Sequence, residues 1–270
     1  MIPAQFEYER AGSVDEAVEL LGRADDAKIL AGGHSLIPVL RLRFARPSLL
    51  VDVGRLGDLR YVREDGDRIA IGALSRHADL AGDAVLVQHC ALVSSVAAGI
   101  GDPQVRHRGT IGGSVAHADP ASDFATLLLT LDAELVARGP DGERTIGAAD
   151  FFKGPFETAL GQRELLTEIR VPKVSDGTYL KHTRRAQDWA TVGVAAARVN
   201  GGVHVGLASM GTTPLRASAV ESALAGGASA ADAAAHAADG ASPPSDVNGS
   251  AAYRAHLAQV LVRRALERLG

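Results

Sequence analysis

Two glycine pairs, in Ala31-Gly32-Gly33-His34-Ser35 and in Thr110-Ile111-Gly112-Gly113-Ser114, constrain this chain more than any other feature. Glycine tolerates positive φ and lets main-chain N–H groups approach a neighbour with no Cβ between them. Successive N–H groups turned the same way form a concave anion trap, and an adjoining helix N-terminus adds partial positive charge. One such turn is a weak sign of phosphate. Two in one chain point to a ligand with two linked phosphates, gripped from both sides. On these residues alone the plain alternative, two tight turns with no ligand, stays open.

The 270 residues suffice for two ordinary domains or one large one, and 46% hydrophobic with 22% charged content supports a buried core. A net charge of −4 lacks the basic footprint of a nucleic-acid or anionic-membrane partner. The opening MIPAQFEYER has neither a basic nor an apolar leader region, and no run is apolar enough for a membrane span. A cytoplasmic location is expected. Cys90 is the single cysteine, so this chain alone cannot ligate an iron–sulfur cluster or a structural zinc. Redox chemistry here needs an organic cofactor or a partner subunit.

Ser13 and Glu16 form a capping box that starts a helix over 14–22. Strands are expected at 28–30 and 48–53, with a helix at 36–42 following the first glycine pair. A strand at 68–72 and a Ser75-capped helical turn come next, then one long helix over 83–98 and a loop from 99 to 109. Asp119-Pro120 marks a further helix start, with its apolar face over 124–131. Strands at 133–138 and 143–146 form a hairpin, and a strand at 165–171 stops at Pro172. Beyond that seam, strands at 178–183, 190–199 and 203–208, the last two joined through Asn200-Gly201, precede helices at 216–224, 230–238 and 251–269. Interleaved elements followed by sheet and then helices make an α+β chain.

Other signals are weak. Gly33-His34-Ser35-Leu36-Ile37 imitates a hydrolase nucleophile elbow, but Ile37 stands where that turn needs glycine. Neither a G-x-G-x-x-G turn nor a Walker A loop is present. His34, His107, His117 and His182 are scattered singly, and Asn248-Gly249-Ser250 reads as a loop. Asp119 and Asp123 suit the start of a helix dipole, and Asp123 could also hold ligand hydroxyls.

The series Ala31-Gly32-Gly33-His34-Ser35-Leu36, Gln104-Val105-Arg106, Thr110-Ile111-Gly112-Gly113, Asp119-Pro120 and Asp123 resembles the flavin-binding medium subunits of the molybdenum hydroxylase, or xanthine dehydrogenase, family. The carbon monoxide dehydrogenase type fits best. The likeness is collinear from Met1-Ile2-Pro3 to Arg263-Arg264-Ala265-Leu266. It implies a two-subdomain FAD-binding domain over 1–173 (about 1–55 and 56–173), of the PCMH type and similar to vanillyl-alcohol oxidase. A C-terminal domain over 174–270, with a three-stranded antiparallel sheet and helices, would follow.

By the same resemblance, 31–35 and 110–114 hold the FAD pyrophosphate, Asp123 contacts the adenosine side, Leu166 packs near the flavin and Lys181 lies beside its ring. Trp189 stands where the type carries tyrosine, and Ser114 where asparagine is common. The implied function is electron transfer through FAD to an external acceptor. Molybdopterin would sit on a large partner subunit and 2Fe-2S clusters on a small one, in a dimer of heterotrimers. A stand-alone flavin oxidoreductase and a non-catalytic flavin-binding module are the alternatives.

Overall fold

Leu49–Asp52 is the central strand of a small parallel sheet, with Glu7–Arg10 on one side and Lys28–Leu30 on the other, in a computed structural model that describes residues 1–269. Glu7–Arg10 carries no alternating pattern; all four residues are exposed, and only its backbone pairing makes it a strand. The helix Val14–Leu21 buries Ala17, Val18, Leu20 and Leu21. Its Ser13 hydroxyl accepts the Glu16 N–H at 3.1 Å, while the Glu16 carboxylate reaches one residue further back to the Gly12 N–H at 2.7 Å. A short helix, Leu36–Arg41, follows the first glycine pair.

The second layer is a five-stranded antiparallel sheet. Its order is Val62–Asp65, Arg68–Gly72, Leu165–Pro172, Glu134–Gly139 and Gly142–Gly147. The expected long helix over 83–98 is two helices, Ala84–His89 and Ala91–Ala98, which break at Cys90. The cause is tertiary: the His89 carbonyl accepts from the Val174 N–H at 2.8 Å, so the Val93 N–H bonds Cys90 instead. The stretch expected as loop contains a helix, Pro103–Arg108, capped by Asp102 and started by Pro103. Ser75 caps no helix; its hydroxyl ties both backbone groups of Tyr61, and the turn His77–Leu80 begins one residue later. Asp119 forms a local turn to the Ala121 N–H, and Ser122 caps the helix Asp123–Thr130.

In the C-terminal part, Gly177–His182, Val192–Val199 and Gly202–Ala208 form an antiparallel meander, extended by the two-residue strand Leu215–Arg216. The hairpin at Asn200-Gly201 has both residues at positive φ (51° and 82°), as a tight primed turn requires. Both faces of the central strand are buried. Ala195, Ala197 and Val199 join the core of the N-terminal layers, whereas Val192, Val194 and Ala196 pack with the helices Ser218–Ala225, Ala230–Ala234 and Ala251–Arg268. Among the described residues, no helix is long and apolar enough to cross a membrane.

Candidate functional site

The first glycine pair stands between the strand Lys28–Leu30 and the helix Leu36–Arg41. Gly33 has φ +78°, a left-handed conformation that favours glycine, while a Cβ there would meet the movable tip of the Ile37 side chain at 2.7 Å. The N–H groups of Gly32, Gly33, His34, Ser35 and Leu36 have no acceptor among the described residues. Five consecutive free donors at a helix start are an arrangement that could hold an anion.

The two glycine segments meet. A Cβ on Gly32 would overlap the Arg108 carbonyl and stand 3.0 Å from the Gly109 Cα. The second pair, however, does not offer its amides. Gly112 and Gly113 lie inside the helix Ile111–His117. The Ile111 N–H bonds the Ser75 carbonyl, Gly112 the Ala73 carbonyl, Gly113 the Thr110 hydroxyl and Ser114 the Thr110 carbonyl, at 2.9–3.1 Å. Gly112 is small because the helix presses on Ala73, whose Cβ would be 2.6 Å from an added one. The expectation of two amide cradles is therefore corrected to one, and what 110–114 presents to a ligand is the half-buried Ser114 side chain.

His77, which the sequence reading passed over, joins these parts. It is 2% exposed, lies against Gly109, and stacks on Phe124 with centroids 5.4 Å apart. Its Nε2 is 3.3 Å from Ser114 Oγ, and its Nδ1 has no partner among the described residues. Burial pushes its pKa down to about 4, helped by the positive field of His34 and Arg106, so the ring is neutral at pH 7. An orphaned buried N–H is rarer than an under-used acceptor. The proton accordingly belongs on Nε2, donated to Ser114 Oγ, which leaves the serine O–H to point elsewhere. A histidine at the start of a short helix gave no sequence signal of this role.

Asp123 begins the helix Asp123–Thr130, next to Phe124. Its carboxylate accepts from Lys181 Nζ at 2.8 Å and from the Tyr179 hydroxyl at 2.6 Å. Burial, together with this carboxylate, raises the Tyr179 pKa well above its usual value, so the phenol keeps its proton. Asp123, to which the resemblance gives an adenosine-side contact, and Lys181, to which it gives a place beside the ring, are thus bonded to each other. Leu166 is buried in the core on the strand Leu165–Pro172. Trp189 is 69% exposed, on the connection between Gly177–His182 and Val192–Val199. That connection is anchored where the Thr191 N–H bonds the His182 carbonyl and the buried Arg254 donates to the Thr191 carbonyl.

Comparison with known proteins places the chain among flavin-dinucleotide-binding subunits. Residues 4–174 match the FAD binding domain in molybdopterin dehydrogenase, and residues 177–269 match the CO dehydrogenase flavoprotein C-terminal domain. The chain belongs to this family: it is the FAD-binding medium subunit of a molybdenum hydroxylase complex, an oxidoreductase. It is 42% identical to the carbon monoxide dehydrogenase medium chain of Hydrogenophaga pseudoflava, over 98% of this chain and 97% of that one. The glyceraldehyde dehydrogenase medium chain of Sulfolobus acidocaldarius is 38% identical, over 99% of both. The solved carbon monoxide dehydrogenase from Hydrogenophaga pseudoflava superposes with a TM-score of 0.95 at 42% identity, covering 100% of this chain and 98% of that one. A medium subunit of this kind implies a large and a small subunit beside it.

Proposed function

We propose that this chain carries electrons, through FAD, from 2Fe-2S clusters on a small subunit to an external acceptor. Molybdopterin on a large subunit is the site where substrate is oxidised, and the assembly is a dimer of heterotrimers. The observation that carries the reading is the row of five unpaired amides from Gly32 to Leu36, with Ser114 and His77 beside it. The donor set fits a diphosphate, because neutral main-chain N–H groups bind that charge without introducing a titrating group. Bound FAD supplies the redox centre.

The residues of this chain divide the remaining work. The Gly32–Leu36 amides hold the diphosphate, and the Ser114 hydroxyl, steadied by His77, donates to one of its oxygens. Lys181 faces the ring end with Asp123 and Tyr179 behind it, and Trp189 offers a flat aromatic cover there. Cys90, alone and buried, has no part in electron transfer, which agrees with clusters residing on partners. The FAD-binding part ends near residue 173, between the strands Leu165–Pro172 and Gly177–His182. The substrate is chosen in the large subunit: relatives serve both carbon monoxide and glyceraldehyde dehydrogenases. Purification of the tagged chain from its source tests this reading. A flavin spectrum with two co-purifying subunits, one bearing molybdenum and one bearing iron, is expected; substrate turnover by the chain alone would contradict it.

A further inference from the structure

The connection 183–191, between the strands Gly177–His182 and Val192–Val199, leaves Trp189 exposed, yet it is held at both ends. At its start Arg184 Nη1 donates to the Val247 carbonyl at 2.6 Å, and the neighbouring His182 ring meets Tyr253 edge-on with centroids 6.2 Å apart. At its end Arg254 Nη1 donates to the Thr191 carbonyl, and Ser209 Oγ donates to the Ala190 carbonyl at 2.8 Å. Val247 and Arg254 belong to one unit. Val247 stands in a turn closed by backbone bonds of 3.1 and 3.2 Å between Asp246 and Gly249, and Arg254 Nη2 donates to both Asp246 carboxylate oxygens at 2.7 and 2.8 Å. Arg254 is 2% exposed, and arginine is almost never buried so far unless it is paired. Its planar fork gives one arm to the turn and the other to the connection. Ser209 has φ +61°, a strained conformation for a residue with a Cβ, and its N–H donates to the Pro120 carbonyl at 3.0 Å. Pro120 lies on the turn that leads into the helix Asp123–Thr130.

Both ends of the connection therefore stand by the Lys181–Asp123 pair. Lys181 lies on the strand that enters it, and Ser209 ties its last residues to the turn before Asp123. Surface connections are ordinarily mobile and need no buried charge to hold them. We propose that Arg184 and Arg254, with the turn 246–249 behind them, are positioning residues that set where Trp189 stands over the ring end of the bound flavin. They touch no ligand themselves and act through the indole. This rests on the flavin reading above and deepens it. The turn before the C-terminal helix Ala251–Arg268 then fixes how far the ring is covered, and so how closely an external acceptor approaches it.

The test uses the protein with any partner subunits that co-purify, as wild type, Arg184→Ala, Arg254→Lys, Trp189→Ala and Trp189→Ala/Arg184→Ala. An indole stacked on a flavin quenches its emission, so flavin fluorescence reads the position of Trp189. Emission from bound FAD is expected to rise several-fold in both arginine variants, while FAD affinity changes by less than about twofold because the diphosphate contacts are untouched. Trp189→Ala should reach the same bright level, and adding Arg184→Ala to it should raise emission no further. A merely structural role would not give that pattern. In flavin-free protein the bonded amides of Asp188 and Thr191 should exchange about tenfold faster in Arg184→Ala, as loss of a charge-assisted bond frees the connection. Arg184 is exposed, so its variant decides the matter if Arg254→Lys fails to fold. Unchanged emission in Arg184→Ala would overturn the proposal. So would a wild type as bright as Trp189→Ala, or a further rise in the double variant. A wild type that takes up no flavin would instead overturn the flavin reading, and the clamp's role over the ring with it.

Discussion

The Lys181 ammonium and the Asp123 carboxylate form an ion pair of 2.8 Å, closed on the other carboxylate oxygen by the Tyr179 hydroxyl at 2.6 Å. The pair joins the strand Gly177–His182 of the C-terminal sheet to the helix Asp123–Thr130, so it spans both matched domains. In the role proposed for Lys181 beside the flavin, its balance sets the field that the ring feels.

Replacing Lys181 by alanine should lower the flavin midpoint potential, because the positive partner of reduced, anionic flavin is lost and the Asp123 charge is left uncovered. Asp123→Asn should shift the potential the other way. A spectroelectrochemical titration of both variants checks this; equal potentials would remove Lys181 from the ring end.

The same pair has a stability consequence. Lys181→Ala strands a carboxylate that is mostly buried, which by the behaviour of buried pairs costs about 3 kcal/mol. The double replacement Lys181→Met/Asp123→Asn removes both charges and should recover most of that loss. Urea unfolding of the three proteins measures it.

Gly32→Ala places a methyl group against the Arg108 carbonyl, where the first glycine segment meets the residues leading into the second. Overpacking of this kind costs roughly 1–3 kcal/mol. It should also empty the protein of FAD as the amide row is pushed aside. Flavin content per chain and the thermal midpoint should fall together.

His77 gives an acid-side signature. Its folded pKa of about 4 lies below the unfolded value of 6.5, so only the unfolded chain takes up the proton between those limits. Above pH 6.5 the ring is neutral in both states and imposes no penalty. As pH falls from 6.5 to 4, stability drops by roughly 3 kcal/mol from this group. His77→Asn should flatten that part of the stability profile relative to wild type, as read by denaturant unfolding at pH 7, 5.5 and 4.

Much of the architecture was legible. The strands at 28–30 and 68–72 follow from short apolar runs, and the hairpin at 200–201 from turn chemistry. The helix Pro103–Arg108 lies in the stretch expected as loop, although Asp102-Pro103 carries its signal, a cap followed by the residue best suited to a first helical position. The break at Cys90 was not legible, because it depends on Val174 taking the His89 carbonyl. Glu7–Arg10 is a strand only through its partner. At the site, both glycine pairs look alike in sequence, yet one bares its amides and the other lets a helix approach Ala73. A glycine that admits a ligand and one that admits a neighbouring backbone leave the same letter. The Asp123–Lys181 contact was out of reach for the same reason: it joins residues far apart in the chain through tertiary packing.

Amide hydrogen exchange on the full chain, with and without saturating FAD, tests the central claim most directly. The amides of Gly32 to Leu36, now without acceptors, should become strongly protected when FAD binds, while those of Ile111 to Ser114, already bonded within the protein, should change little. Protection gained at 111–114 with none at 32–36 would contradict the account.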